Sequence, residues 1–481
     1  MRGRLPRMTR RTVSRLLALV VVVALGAGCS LLRNLDAIAD RPVPPLGHAG
    51  RWFTDAAGRV VTLRGVNLVV KWAPYTPAAA GFDDDDAELL ASNGFNTVRL
   101  GVPIEFLMPQ AGVVDRAYLA SIADTVQTLG RHGLYVLLDF HQDGFGPVTH
   151  GNGMPAWATL TDGLPNPNAP FPTYYIQNPA MQRAFDNFWA NAPGADGVPI
   201  QQHYAEAVRA VAARFVATPN VIGYEAMNEP WPGTNWTSCA AGCPDLERTL
   251  LGPFRTRMAA AVRSVDRLRP LFVEPFVLFN FGGADTALPG PGSADVLATH
   301  VYAANADADA SVMDRTVAAA TRDGAPAVVT EWGDSNDPAE LDRFGDQFDA
   351  RLLPWLYWSY DGHVVADPSA PLVAPNVNVS VLTALARPYP TVLNGTPTHV
   401  AFDAVTARAD IEYTTTLPTG RPASRLLKTA ISVPRLRYPT GYGVTVVGAD
   451  VTSRPCAPLL TLRHRPGAAR VAVVITPAAC P

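Results

Sequence analysis

The 481-residue sequence predicts an α/β fold: a (β/α)8 TIM barrel followed by a small C-terminal β-sandwich domain. Three observations predict it. Eight short apolar runs rich in β-branched residues recur between residues 61 and 360, stretches with helical periodicity separate them, and beyond Pro388 and Pro390 strand-like runs continue without helices between them.

The eight runs are VTLRGVNLVV (61–70), NTVRLGV (96–102), LYVLLDF (134–140), VIGYEAMN (221–228), LFVEP (271–275), DVLATHVY (295–302), APAVVTEW (325–332) and LPWLYWSY (353–360). Strands this continuously apolar must be covered on both faces, which a parallel sheet wrapped by helices achieves, and eight such units close the sheet into a barrel. The intervening helices are readable from apolar stripes at spacings of three and four, as in YLASIADTVQTLGRHG (118–133) and HYAEAVRAVAARFVA (203–217). DDDD (83–86) suits a helix start, where acids meet the positive end of the dipole. An open doubly wound sheet would call for a phosphate-binding glycine loop after its first strand, and GVNLVVKWAP is not one. THVAFDAV, DIEYTTT, LKTAISVP, GVTVVGADV and RVAVVITP are the strand runs of the second domain. The expected divisions are a signal peptide at 1–28, a linker at 29–49, the barrel at 50–389 and the sandwich at 390–481.

Residues 1–28 carry six arginines and no acid, then the apolar run LLALVVVVALGAG, and Cys29 follows. The run is too short to span a bilayer and reads as an export signal, with Cys29 a candidate for lipid attachment, although Leu25 lies one place further from it than a lipoprotein signal prefers. The protein is therefore expected to be secreted or anchored in the cell envelope. Without this segment 33 basic groups face 42 acidic ones, a net charge of −9. That balance excludes nucleic acid as the main partner and favours a neutral ligand. The remaining cysteines suggest local disulfides, Cys239–Cys243 and Cys456–Cys480, with zinc as the competing reading. The chain is expected to act as a monomer and to meet membranes through a lipidated Cys29 or through its substrate.

In a parallel barrel the reacting face lies at the carboxyl ends of the strands. Arg99, Asp139, His141, Asp143, Asn228, Glu229, His300, Tyr302, Glu331 and Trp358 all fall at such ends. A single strand-end glutamate is more often a salt-bridge partner than a catalyst. Two of them, Glu229 on strand four and Glu331 on strand seven, form the pair of carboxyl groups that glycoside hydrolysis requires, one protonated and one ionised. Arg99 is expected to hold Glu331 ionised, Asn228 to bind the sugar 2-hydroxyl, His300 and Tyr302 to orient the nucleophile, and Trp358 to floor a sugar ring. The chemistry needs no metal or organic cofactor, since both carboxyl groups come from the protein, and no HExxH-type spacing occurs. The segment from 141 to about 190 is long for a strand-to-helix connection and rich in aromatics, which suits a cleft wall; Phe185 and Phe188 fall at helical spacing and are expected to pack inward.

RLGV, DFHQD, MNEP, THVY, VVTEWG and LYWSY, in that order, resemble the retaining hydrolases of glycoside hydrolase family 5 over residues 50–390. HQDGFGP, GNGMPAWATLTDGLP, YYIQNPAMQRAFDNFW and MNEPWPG narrow the likeness to endoglycoceramidases, which release an intact glycan from ceramide and also carry a C-terminal β-sandwich. The resemblance implies Glu229 as acid/base and Glu331 as nucleophile. It also implies Asn228, His141, Tyr302 and Trp358 around the sugar attached to the lipid, with Lys71, Asp139 and Asp143 as further sugar contacts. Trp332 departs from the Phe that many relatives place after the nucleophile. The expectation is a retaining endo-β-glycosidase acting between glycan and lipid. The alternatives are a family relative acting on another β-glucoside (a β-glucan, a sterol glucoside or another glycolipid) and, from another class, a catalytically silent glycan-binding protein.

Overall fold

The structure is a computed structural model that describes residues 40–73, 75–282 and 285–480; the predicted signal segment and Cys29 lie outside the described residues. Among the described residues, eight parallel strands close into a barrel, each pairing with the next in chain order and the last with the first. They are Arg64–Leu68, Thr97–Gly101, Tyr135–Asp139, Val221–Glu225, Leu271–Val273, Val296–Val301, Ala327–Trp332 and Trp355–Tyr357. All are buried along their length, which is why each reads as an unbroken apolar run.

The helices cover the barrel through the stripes legible in sequence. Ile200–Phe215 buries Tyr204, Val208, Val211 and Phe215, and Arg116–Arg131 buries Ile122, Val126 and Leu129. Asp83 caps the helix Asp84–Ser92 in a reciprocal capping box with Asp86, so the acidic run does start a helix. Trp332 is fully buried among Phe344, Phe348, Trp355 and Tyr357; its extra size relative to Phe is absorbed by the helix layer, away from the barrel mouth.

The C-terminal region consists of two antiparallel sheets. Four strands, Thr396–Asp403, Arg408–Thr414, Arg470–Pro477 and Tyr442–Val447, form one of them. The other has seven, in the order Gly47–Ala49, Trp52–Thr54, Val60–Val61, Tyr389–Leu393, Thr429–Ser432, Leu459–His464, Ala449–Val451. Three of these strands precede the barrel in sequence, so both ends of the barrel segment are stitched into one sheet. That sheet plugs the end of the barrel where the strands begin: Phe53, Val61, Val392 and Ala430 share a core cluster with Leu137, Phe272, Ala298, Val328 and Leu356. The opposite end is left open. Tyr389–Leu393 and Leu459–His464 are absent from the sequence reading because prolines stand in or beside them; Pro390 sits where the pairing register shifts, a place at which a missing N–H is tolerated.

Buried Arg387 locks the two domains. It pairs with Asp346 at 2.5 Å and Asp349 at 3.1 Å on the barrel and donates to the carbonyl of Phe402 on the sandwich at 3.1 Å. Cys239–Cys243 and Cys456–Cys480 are disulfide-bonded, with Cα separations of 4.7 and 6.0 Å, which removes the zinc reading for both pairs.

Candidate active site

The glutamates, the sugar-contacting residues and the supporting residues named from the sequence converge on the open end of the barrel, in two tiers. Lys71, Asp143, Glu229, Tyr302, Glu331 and Trp358 line a cavity of about 860 Å³. Arg99, Asp139, His141, Asn228 and His300 stand behind them, each no more than 1% exposed.

Arg99 organises the rear tier. Its Nε lies 2.6 Å from Glu225, Nη1 lies 2.5 Å from Glu331 and 3.0 Å from Asn67 Oδ1, and Nη2 lies 2.8 Å from Asn228 Oδ1 and 3.1 Å from Asp139. A guanidinium is suited to this because it offers five fixed donors and keeps its charge when buried. The Asn228 amide donates to the carbonyl of Gln142 at 3.0 Å, and Gln142 returns bonds to the carbonyls of Asn228 and Glu229 at 2.8 and 3.0 Å. Glu229 is held at a φ of +42°, a left-handed conformation that costs a non-glycine residue energy and persists where surrounding bonds over-determine it.

One oxygen of Glu229 and one of Glu331 lie within 4.8 Å of each other. Their surroundings differ. Tyr302 donates its hydroxyl to Glu331 Oε2 at 3.2 Å, and Arg99 faces Oε1. Glu229 Oε1 faces His300 Nδ1 at 2.8 Å, while the same nitrogen is 3.5 Å from Glu331. The sequence reading assigns His300 to the nucleophile, but its short contact goes to the other glutamate, because strand six directs the ring toward the mouth between strands four and seven. Burial, aided by the charge of Asp143, pushes the Glu229 carboxyl up to about 7. Burial also holds His300 down at about 3, hence neutral.

A second charged group flanks the first. Lys71 Nζ lies 2.6 Å from Asp143 and 4.5 Å from the centre of the Trp358 ring, against which His141 stacks at 5.7 Å. Burial would lower His141, but Asp139 at 2.7 Å and Asp143 at 3.4 Å outweigh it and raise the ring to about 9. Asp143 is kept well below the usual carboxylate range despite its burial, by Lys71 and His141. Its loop is drawn tight by Gly151, where a Cβ would come 2.0 Å from the Asp143 carbonyl oxygen, and by Asn152, which donates to the Asp143 side chain at 3.0 Å.

Away from these polar groups the cavity wall is apolar: Phe171, Ile176, Trp231, Val277, Leu278 and Phe281. Phe171 is 68% exposed and Phe281 49%, whereas Phe145, Phe185 and Phe188 of the long loop are fully buried, so the segment from 141 to about 190 divides its aromatics between cleft and core. Glu225 and Glu274 are absent from the sequence reading and lie in the rear tier, both contacting Arg99. A signal for Glu274 existed: Glu274–Pro275 repeats, one strand on, the Glu229–Pro230 pair. Glu225, Glu274 and His300, and likewise Glu229, His300 and Glu331, bring donor atoms within 4.8 Å. Arg99 already contacts Glu225, Glu274 and Glu331 and supplies the positive charge that a metal ion would bring.

Residues 54–364 match the family described as Cellulase (glycosyl hydrolase family 5), and residues 387–475 match the glycoside hydrolase family 5 C-terminal domain. The chain is 35% identical over 453 residues to endoglycoceramidase I of Rhodococcus hoagii, covering 88% of this chain and 86% of that protein. Endo-glycoceramidase II from Rhodococcus sp., solved as a lactosyl-enzyme intermediate and as a ganglioside GM3 complex, superposes in each case with a TM-score of 0.70 at 28% identity, covering 88% of this chain and 99% of that one.

Proposed function

The chain belongs to glycosyl hydrolase family 5, and from that premise we propose that it is a retaining endo-β-glycosidase that cleaves the bond between a glycan and a ceramide-like lipid. The observation that carries the mechanism is the approach of Glu229 and Glu331 to within 4.8 Å across the cavity. An approach of this order suits double displacement, in which the carboxyl groups stand about 5–5.5 Å apart, better than inversion, which sets them about 6.5–9.5 Å apart.

In the first step a Glu331 oxygen attacks the anomeric carbon, and Glu229 gives its proton to the departing glycosidic oxygen. The lipid leaves as an alcohol. In the second step Glu229, now a carboxylate, takes a proton from water, which displaces Glu331 and frees the glycan. Arg99 and Tyr302 hold the attacking carboxylate in place, and burial keeps Glu229 protonated at the start. Trp358, Lys71, Asp143 and His141 are assigned to the sugar next to the bond, with Asp139 holding His141 from behind at 2.7 Å and Asn228 linking Arg99 to the Gln142 carbonyl. The apolar wall from Phe171 to Phe281 supports an acyl or sphingoid aglycone, since a glucan would leave it uncovered.

The Arg-rich apolar leader and two disulfides favour export, and lipidation at Cys29 would bring the enzyme to its substrate; among the described residues no helix is long and apolar enough to cross a membrane. An aglycone-swap assay on purified protein tests the substrate. Release of intact glycan from glycosphingolipids is expected. Ready turnover of cellulose or mannan oligosaccharides or of sterol glucosides, with lipid-linked glycans untouched, would overturn the reading.

A further inference from the structure

Behind the two glutamates lies a third that the mechanism above does not use. Glu274 follows strand five and its side chain is fully buried. Its Oε2 accepts the backbone N–H of Glu229 at 3.3 Å. Its Oε1 lies 3.5 Å from Nε2 of His300 and 3.5 Å from Nη2 of Arg99. Both Oε1 of Glu274 and Nε2 of His300 are buried, and among the described residues neither makes a hydrogen bond of good geometry. Two facing polar atoms left in this way mark the place of a hydrogen not yet assigned.

His300 is neutral and carries one hydrogen. If that hydrogen sits on Nε2, Nδ1 must accept, and Glu229 turns its acid proton onto the ring, away from the cavity. If it sits on Nδ1, it donates to Glu229 Oε1 at 2.8 Å, so the acid proton of Glu229 is left on Oε2, the oxygen free to serve the glycosidic bond. Only the second arrangement lets Glu229 act as an acid, and it requires a donor opposite Nε2.

We propose that Glu274 is a positioning residue: a neutral carboxylic acid that donates its hydrogen to Nε2 of His300 and thereby fixes the tautomer that aims the Glu229 proton into the cleft. The inference rests on Glu229 being the acid of the reaction. Charge balance supports it. Around Glu274 stand Arg99 from strand two, Asp139 from strand three, Glu225 and Glu229 from strand four, His300 from strand six and Glu331 from strand seven. Glu225, Glu331 and Asp139 take Arg99 contacts of 2.6, 2.5 and 3.1 Å; Glu274 has the longest, at 3.5 Å, and is the carboxyl that is hardest to leave ionised. Burial and the neighbouring Glu225 charge push its carboxyl well above the usual range. Glu225 is the competing acceptor for the same hydrogen, and the test separates the two.

The experiment combines two substitutions with imidazole nitrogen NMR on the full chain, His300 being assigned from the spectrum of His300→Gln. Glu274→Gln keeps a carbonyl for Glu229 N–H and an N–H for His300, so kcat/KM is expected within about threefold of wild type, with the alkaline limb of its pH profile unmoved. Glu274→Met offers no donor. Its kcat on substrates with poor leaving groups is expected to fall about tenfold, part of the 10²–10⁴ that a general acid contributes, with KM unchanged and activated aryl glycosides little affected. Wild-type His300 should show its hydrogen on Nδ1. A hydrogen on Nε2 overturns the proposal, as does a Gln variant impaired as much as the Met variant. If Glu274→Met does not fold, the Gln variant and the wild-type spectrum still decide. The spectrum needs no substrate, so failure on glycolipids would count against the substrate reading alone.

Discussion

The guanidinium of Arg99 stands 2.5 Å from Glu331 and holds it in register with Tyr302 on the far side. The same cation faces Glu225, Asp139 and Glu274, so one side chain ties the floor of the site to Glu331.

Arg99→Met is therefore expected to lower stability by about 3–5 kcal/mol, because it strands buried carboxylates without a partner. Arg99→Lys keeps one charge but loses the fork; kcat/KM should drop about a hundredfold, the scale of a misplaced reacting group. Thermal unfolding and steady-state kinetics on the two variants check both outcomes.

The two glutamates should separate by leaving-group dependence. Glu331→Gln is expected to abolish turnover while leaving the melting temperature near that of wild type. Glu229→Ala should lose about 10²–10⁴ on unactivated glycosides and far less on aryl glycosides with good leaving groups, since those need no protonation. A Glu331→Gln protein that retains wild-type rates would remove the double displacement.

The pH dependence follows from the Glu229 carboxyl at about 7 against an ordinary 4.5. As the acid, it must be protonated, so kcat/KM is expected to fall as pH rises through about 7. Asp143→Asn removes an anion that raises it and should move this limb downward. For stability the folded state holds the proton more tightly than the unfolded chain; the stabilising contribution is complete below about 4.5 and lost as pH rises through about 7. Glu229→Gln is then expected to raise unfolding stability at pH 8 by about 1–3 kcal/mol while disabling the acid. Denaturant unfolding at pH 5 and pH 8 tests the sign.

Phe281 lies on the apolar side of the cavity and is half exposed. Phe281→Ser should reduce kcat/KM about tenfold on glycolipids, as expected for lost apolar contact with an aglycone, and leave small aryl glycosides within about twofold. An equal loss on both substrate types would place Phe281 outside the aglycone path.

Much of the architecture was legible because buried parallel strands write themselves as apolar runs. All eight runs quoted from the sequence contain a barrel strand, and the strand-end rule then places Glu229, Glu331 and Arg99 at one mouth. The C-terminal sheets were less legible. Pro390 stands within one of their strands and Pro388 and Pro458 directly precede two of them, and the seven-stranded sheet recruits Gly47–Ala49, Trp52–Thr54 and Val60–Val61 from the other end of the barrel segment, a pairing with no local signature.

The order of residues by itself determined the repeating strand and helix units and the carboxyl ends on which the ionisable groups sit, Glu229 and Glu331 among them, because these depend on periodicities of two and 3.6 and on the residues placed at the end of each strand. Only the tertiary structure decided which glutamate His300 touches, that Glu225 and Glu274 lie beside Arg99, and which loop aromatics face the cavity. Those outcomes are set by how side chains from different strands share one buried volume and its charge, and neither quantity is a property of any single stretch of chain.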